Sequence, residues 1–393
     1  MLSKTLIRAV LVGVTGWCLL GAVAAQTARW EPEFRFPGTF FPAFAISAAG
    51  RDVKGPIDSP QAYGFLQSGS LGVNVLSAPA GSKLKVRVEI PEIGLSGEID
   101  APSLTDGRPK VIFPRLSWNQ ARLASIIQPI AAEAVFRFYV DDALVGEERR
   151  PIRVRAINDA PLRSCPTPER CKDYAHYFAA FVNEDSPVID KVLRATLDIP
   201  AMPVKSWTGT QAGPDAALKQ VWAIWYWLQR EKVTYSDIAT VSGARLDLTS
   251  QMIRPISQTL RTVQANCIDG TALFASILRK IGIEPIIVLV PGHAFLGFYP
   301  NAQQIQPVFL ETTMLNDANN PFHQHGPTKT GTLLANALGT DLHMKKSWRS
   351  FTAALDEGQR KYSQAAASFG KQPGYFLIPV LKAREAGIMP LPL

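Results

Sequence analysis

A chain of 393 residues, 47% of them hydrophobic and 19% charged, holds enough apolar material for two or three packed domains, which excludes a disordered or fibrous polymer. The formal net charge of +8 is scattered, with no Lys/Arg block interleaved with aromatics, and this speaks against nucleic acid as a partner. A mild preference for anionic surfaces is all that the charge implies.

Residues 1–25 read as a secretory signal: Lys4 and Arg8 precede the apolar stretch AVLVGVTGWCLLGAVAA, which ends in small residues suited to cleavage after Ala24 or Ala25. The apolar run Ala9–Ala25 is shorter than the roughly 20 residues of a comfortable membrane span, so cleavage is favoured over an anchor. Trp17 ahead of Cys18 argues against lipoprotein processing. The expected location is periplasmic or secreted. Export leaves Cys165, Cys171 and Cys267. In an oxidising compartment Cys165 and Cys171, within SCPTPERC, close a short disulfide loop. A metal site is not expected. The cysteine pair lacks further ligands, and His323 and His325 sit in a Pro/Asn/Gly-rich loop without partners.

Residues 26–160 have a β pattern. FPGTFFPAFAIS, SLGVNVLSA, KLKVRVEIPEI, GLSGEIDAP, PKVIFPRL, AEAVFRFYVD and RRPIRVRAIN alternate or run apolar between Gly/Pro/Asp turns. The cleanest alternation puts Leu84, Val86, Val88 and Ile90 on one face, with Lys85, Arg87 and Glu89 opposite. About seven short strands with turns between them suggest an all-β, Ig-like sandwich. Its default role is scaffold, with spacer and substrate recognition as alternatives.

Residues 161–213 form a polar, Pro-punctuated connector with a helical stretch, in which His176 sits among Tyr174, Tyr177 and Phe178 as a packing residue. A strong helix then starts at Pro214 or Asp215, with Val221, Trp222, Trp225 and Leu228 as its apolar face. Tyr226 and Trp227 are assigned to the core rather than to a substrate-facing wall. Gly243 to Gln264 reads as a polar loop without clear structure, a candidate lid or groove wall.

The chemistry concentrates in the next stretch, Asn266 to Thr313. Leu273, Phe274, Ile277, Leu278 and Ile281 recur at helical spacing, and Lys280, Gly282 and Pro285 end that helix. IIVLV, AFLGFY and PVFLETT follow as strands. Cys267 falls at the first helical turn, where unpaired N–H groups and the helix dipole favour a thiolate and can face a developing oxyanion. His293 is the candidate base. Glu311, in the neighbouring strand, is the candidate carboxylate that orients it.

Cys-x-Asp-Gly opening a helix, LR-x-x-GI-x-P closing it, then PGHAF and FLETT, resemble the transglutaminase-like superfamily of papain-like cysteine enzymes, over roughly Leu218 to Thr313. The resemblance implies helices packed on an antiparallel sheet and a Cys–His–Asp triad that maps onto Cys267, His293 and Glu311, with Glu in place of Asp. It also implies a side-chain oxyanion donor, for which Asn266 and Gln258 are candidates, and no cofactor. No D-x-[DN]-x-[DN]-G calcium loop is present. Should Glu311 not serve, Asp317 is the next carboxylate to consider.

After Thr313 comes a Gly/Asn/Pro-rich loop, then the helical composition of SFTAALDEGQRKYSQAAASF and an LIPV segment that reads as an edge strand on the catalytic sheet. The expected whole is an α+β protein: a catalytic core over residues 214–320 and an extension over 321–393. The expected activity is acyl transfer or hydrolysis of a peptide, protein or peptidoglycan-type amide, with possible association with the cell envelope. The alternative is an inactive binding or assembly module that keeps the fold.

Overall fold

The computed structural model of the chain describes residues 28–51, 55–56, 62–65, 70–104, 110–165, 167, 171–236, 247–316 and 341–393. The segment 1–25 expected as a secretory signal, the His323/His325 pair and Asp317 lie outside the described residues. The fold mixes helix and sheet, as an α+β protein should. It divides into two compact units, one ending at Ile157 and one running from Asn158 to Leu393. The second unit therefore takes in the connector and the C-terminal stretch as well as the core expected over 214–320.

In the first unit the elements are β1 (Arg29–Phe34), β2 (Thr39–Phe40), α1 (Pro42–Ala48), β3 (Gly55–Pro56), β4 (Ala62–Gly64), β5 (Leu71–Ser77), β6 (Leu84–Ile90) and β7 (Leu95–Ala101). They continue as β8 (Lys110–Phe113), β9 (Arg115–Ser117), α2 (Gln120–Ala124), β10 (Ile130–Val140) and β11 (Ala143–Val154). Two sheets form, ordered β1-β5-β8-β4-β3 and β2-β11-β10-β6-β7-β9. Rings on β1 and β10 meet across them: Phe34 and Phe136 edge to face at 5.3 Å, Trp30 and Phe138 at 5.9 Å. The alternation read in β6 holds, with Leu84, Val86, Val88 and Ile90 fully buried.

The unit is not all-β, however. FPGTFFPAFAIS, expected as a strand, gives only the two-residue β2 before turning into α1. Pro42 stands at the helix start, where its fixed φ and missing N–H cost nothing, and every residue of α1 is buried. An apolar run buried on all sides carries no period by which helix and strand can be told apart.

The second unit opens with β12 (Asp159–Ser164), β13 (Lys172–Asp173), a 3-10 stretch at Ala175–Phe181, α3 (Pro187–Leu197) and α4 (Pro214–Arg230). Cys165 and Cys171 are joined by a disulfide between β12 and β13. The His176 ring packs at 4.5 Å from that of Tyr177. Next come β14 (Thr234–Tyr235), β15 (Leu248–Met252), α5 (Ile256–Thr262), β16 (Gln264–Ala265) and α6 (Cys267–Lys280). The expected structureless loop over 243–264 is thus largely ordered from 247 onward. β15 pairs antiparallel with β12, a strand remote in sequence, which a local pattern does not reveal. The chain continues through β17 (Pro285–Val290), β18 (His293–Phe298), β19 (Val308–Leu310), α7 (Leu342–Ala365), β20 (Phe376–Pro379) and α8 (Val380–Glu385).

The sheet behind the site has the order β19-β18-β17-β20, with all its pairs antiparallel. LIPV supplies its edge strand, as expected. Ile286, Val288, Phe295 and Phe309 form a buried cluster on it, with Tyr362 and Phe369 packed alongside. α6 packs on β17 and β18, and α7 on β19. Trp222 and Trp225 of α4 are fully buried, and their indole N–H groups donate to the Ser347 and Ser350 hydroxyls of α7. Tyr226, 8% exposed, stacks on Trp222 and belongs to this core. No helix among the described residues is long and apolar enough to cross a membrane.

Candidate active site

The start of α6 is fixed by a capping box. The Asp269 N–H donates to Asn266 Oδ1 at 2.9 Å, and the Asn266 N–H to Asp269 Oδ2 at 3.1 Å. The Arg254 N–H adds a bond to Asp269 Oδ1 at 2.7 Å, and its guanidinium lies 3.4 Å from the same carboxylate. Burial pushes the Asp269 carboxyl up, against the Arg254 and Asn266 amides and the Arg254 charge. The Asp of the Cys-x-Asp-Gly sequence therefore serves the helix start. Cys267 is the first helical residue, half-buried, and the free cysteine among the described residues.

His293 is the first residue of β18, paired with Val290 across a Pro291–Gly292 turn. Gly292 sits at φ +74°, a left-handed conformation that glycine adopts without strain. The tight turn holds the imidazole at the lip of the sheet, on the wall of the cavity that Cys267 also lines. Its Nε2 lies 2.8 Å from Glu311 Oε2, which leaves Nδ1 as the nitrogen available to the sulfur.

Glu311 follows β19 and is only 1% exposed. Its Oε1 accepts from the Thr313 N–H at 3.1 Å and the Thr313 hydroxyl at 2.7 Å, capping the turn Thr312–Met314. Its own N–H donates to the Ala354 carbonyl of α7 at 3.0 Å. Lys361, also on α7, donates to Oε2 at 2.7 Å, and its Nζ stands 3.0 Å from His293 Nε2.

Burial opposes charge on both triad partners, yet the pairing outweighs it. His293 is raised from 6.5 to about 9 by its hydrogen bonds to Cys267 and Glu311 and by the Glu311 charge, with Lys361 opposing. Glu311 is lowered from 4.5 to about 2 by the bond and charge of His293, then by Lys361. At neutral pH the carboxylate is ionised and the imidazolium is the dominant form. An ionised carboxylate only accepts, so Nε2 carries its proton toward Glu311.

Cys267 and His293 open on a cavity of about 350 Å³. Leu162, Phe178, Leu289 and Phe376 give it apolar walls, while β15 contributes Thr249, Ser250 and Gln251. Among the described residues its lining includes no Asp, Glu, Lys or Arg.

No protein-family model matches the chain, and no curated protein does.

The structure brings Cys267, His293 and Glu311 together and places Asn266 on the cavity wall. Asn266 Oδ1 is occupied by the cap, so Nδ2 is the atom left to face a ligand. Gln258 is a correction: it lies on α5, partly exposed, and is not among the cavity-lining residues. The structure gives it no oxyanion role. Gln251 is the glutamine that reaches the cavity, and its Nε2 donates to the Met252 carbonyl at 2.9 Å. The sequence reading also lacked Lys361, whose surroundings, GQRKYSQ, look like any solvated helix face.

Proposed function

We propose that this chain is an exported cysteine enzyme that performs acyl transfer or amide hydrolysis through a thioester on Cys267, with a transglutaminase-like catalytic unit and an N-terminal Ig-like sandwich. The observation that carries the reading is the Cys267–His293–Glu311 series at the mouth of a cavity, with Glu311 buried and bonded to Nε2 at 2.8 Å. Cys267 passes its proton to His293 Nδ1 as Sγ attacks the carbonyl carbon of the amide, and the carbonyl electron pair moves onto oxygen. The Cys267 backbone N–H, at the positive end of α6, and Asn266 Nδ2 are the donors assigned to that oxyanion. As the tetrahedral species collapses, the C–N bond breaks with its electron pair going to nitrogen. The departing nitrogen takes the Nδ1 proton of His293 and leaves as an amine. Water or a second amine, losing a proton to His293, then attacks the thioester and frees the sulfur.

Apart from His293 the described lining is neutral and largely apolar, which favours an acyl group with a neutral side chain, within a peptide, protein or peptidoglycan-type amide. The disulfide Cys165–Cys171 supports an oxidising compartment and so the periplasmic or secreted location. Two β-sheets joined by aromatic contacts support the sandwich, whose role is then scaffold or recognition of substrate in the cell envelope.

The test is trapping. The protein is incubated with a library of neutral peptide amides and activated esters, and the digest is read by mass spectrometry. An acyl adduct on Cys267 that is absent from Cys267→Ala supports the reading. Absence of any adduct, together with slow alkylation of Cys267 at neutral pH, favours the inactive binding module.

A further inference from the structure

One side chain at the site has no place in a three-residue account. Lys361 and His293 both reach the same Glu311 oxygen, at 2.7 and 2.8 Å, and their nitrogens are only 3.0 Å apart. Both groups are donors, so the Lys361–His293 approach is not itself a hydrogen bond while Nε2 holds its proton. It is a like-charge contact bridged by one carboxylate oxygen.

The approach is built into the fold. α7 crosses β19 at Gly358, where an added Cβ would stand 2.6 Å from the Phe309 carbonyl carbon and 2.7 Å from the Leu310 nitrogen. Only a residue without a side chain lets the helix lie this close to the strand, and Lys361 follows just under one turn later. Tyr362 stacks on Phe309 at 3.9 Å and fixes the helix rotation there. Lys361 also has little alternative: Glu357, 3.9 Å away, is engaged by Arg360, whose Nε donates to it at 2.7 Å.

We propose that Lys361 is a positioning residue of this site: it pins the Glu311 carboxylate and sets a like charge against the imidazolium, which makes His293 a readier proton donor to the leaving nitrogen. The inference rests on the thioester reading for its chemical consequence, but the electrostatic contact can be measured without turnover. The charged groups facing His293 are Glu311 from the segment after β19 and Lys361 from α7, with Glu357 behind Lys361; Cys267 of α6 is the titratable thiol beside the ring. Of these, Lys361 is the one whose charge opposes the imidazolium.

The experiment is a titration of the His293 ring by NMR in the full chain, comparing the parent with Lys361→Met and Lys361→Arg. Lys361→Met should move the midpoint upward by on the order of one unit, while Lys361→Arg should keep it near the parent value. Acylation by an amide in Lys361→Met should slow roughly five- to tenfold, while acylation by an activated ester, whose leaving group needs no proton, should run at the parent rate. A midpoint that fails to rise in Lys361→Met overturns the inference, and so does an equal loss on amide and ester. Acylation of the parent enzyme is read separately, so failure of the thioester reading is not mistaken for failure of this one.

Discussion

Two of the charge clusters among the described residues behave differently. On the first unit, Arg137 donates to Glu89 and to Glu147 at 2.7 Å each, and Arg149 donates to Glu147 and Glu133 at 2.9 Å. At the candidate site Lys361 and His293 converge on Glu311 at much the same distances. The contact lengths do not separate the two; solvent does. Arg149 is 56% exposed at its side chain and Glu147 32%, against 1% for Glu311. In water such pairs are screened and contribute little, whereas a carboxylate shut away from water responds to each neighbour at lower dielectric. Pairing is common to both clusters, and the burial of its shared carboxylate sets the one at the candidate site apart.

The largest expected break of this contrast comes from the triad. Cys267→Ala should abolish thioester formation while leaving the fold intact, checked by adduct mass and circular dichroism. Glu311→Gln should lower turnover on the order of 10³–10⁴-fold, because the amide cannot stabilise the imidazolium. Glu311→Asp should lose about 1–2 kcal/mol of transition-state stabilisation through lost reach. Parent-like turnover in Glu311→Gln would make Glu311 structural only.

Next in size is the pH dependence. His293 is raised from 6.5 to about 9, so its contribution to stability is full below 6.5 and is lost as the pH rises through 9. Glu311 is lowered from 4.5 to about 2, so its contribution is full above 4.5 and fades as the pH falls toward 2. The two shifts describe one interaction and are counted once. Between pH 6.5 and 10 the parent should lose on the order of 1–2 kcal/mol more than His293→Phe in chemical denaturation. Turnover on amides should fall over the same alkaline limb, as the proton for the leaving nitrogen is lost.

A third test separates packing from charge. Gly→Ala inside a helix ordinarily stabilises by about 0.5–1 kcal/mol. At Gly358 the new Cβ would meet backbone atoms of Phe309 and Leu310, so Gly358→Ala should instead destabilise by about 1–3 kcal/mol and draw Lys361 away from Glu311. Thermal denaturation together with the His293 titration would check both effects, and a stabilised variant would refute the crossing argument.

The smallest effect is expected on the exposed cluster. Arg149→Ala should change stability by less than about 1 kcal/mol, and less still in high salt. A larger loss would mean that this network works as the buried one does.

Cys267, His293 and Glu311 were legible in the sequence because each is tied to a local pattern: a capped helix start, a Pro-Gly turn and an apolar strand end. The helix over 267–280, the strand over 84–90 and the edge strand over 376–379 were legible for the same reason, since apolar periodicity and turn residues are local facts. The short helix Pro42–Ala48 was not, because full burial erases the period. That Gln258 lies away from the cavity was not legible, because proximity along the chain says nothing about which face of a helix or strand meets the cavity.

Lys361 could be recognised only in three dimensions. It belongs to a helix far along the chain whose surface reads as ordinary, and it meets Glu311 only because Gly358 lets that helix lie against β19. The sequence by itself determined the chemical groups and their local scaffolds. The tertiary structure decided which charges share one buried oxygen, since the dielectric and the distances between remote segments come into being only when the chain packs.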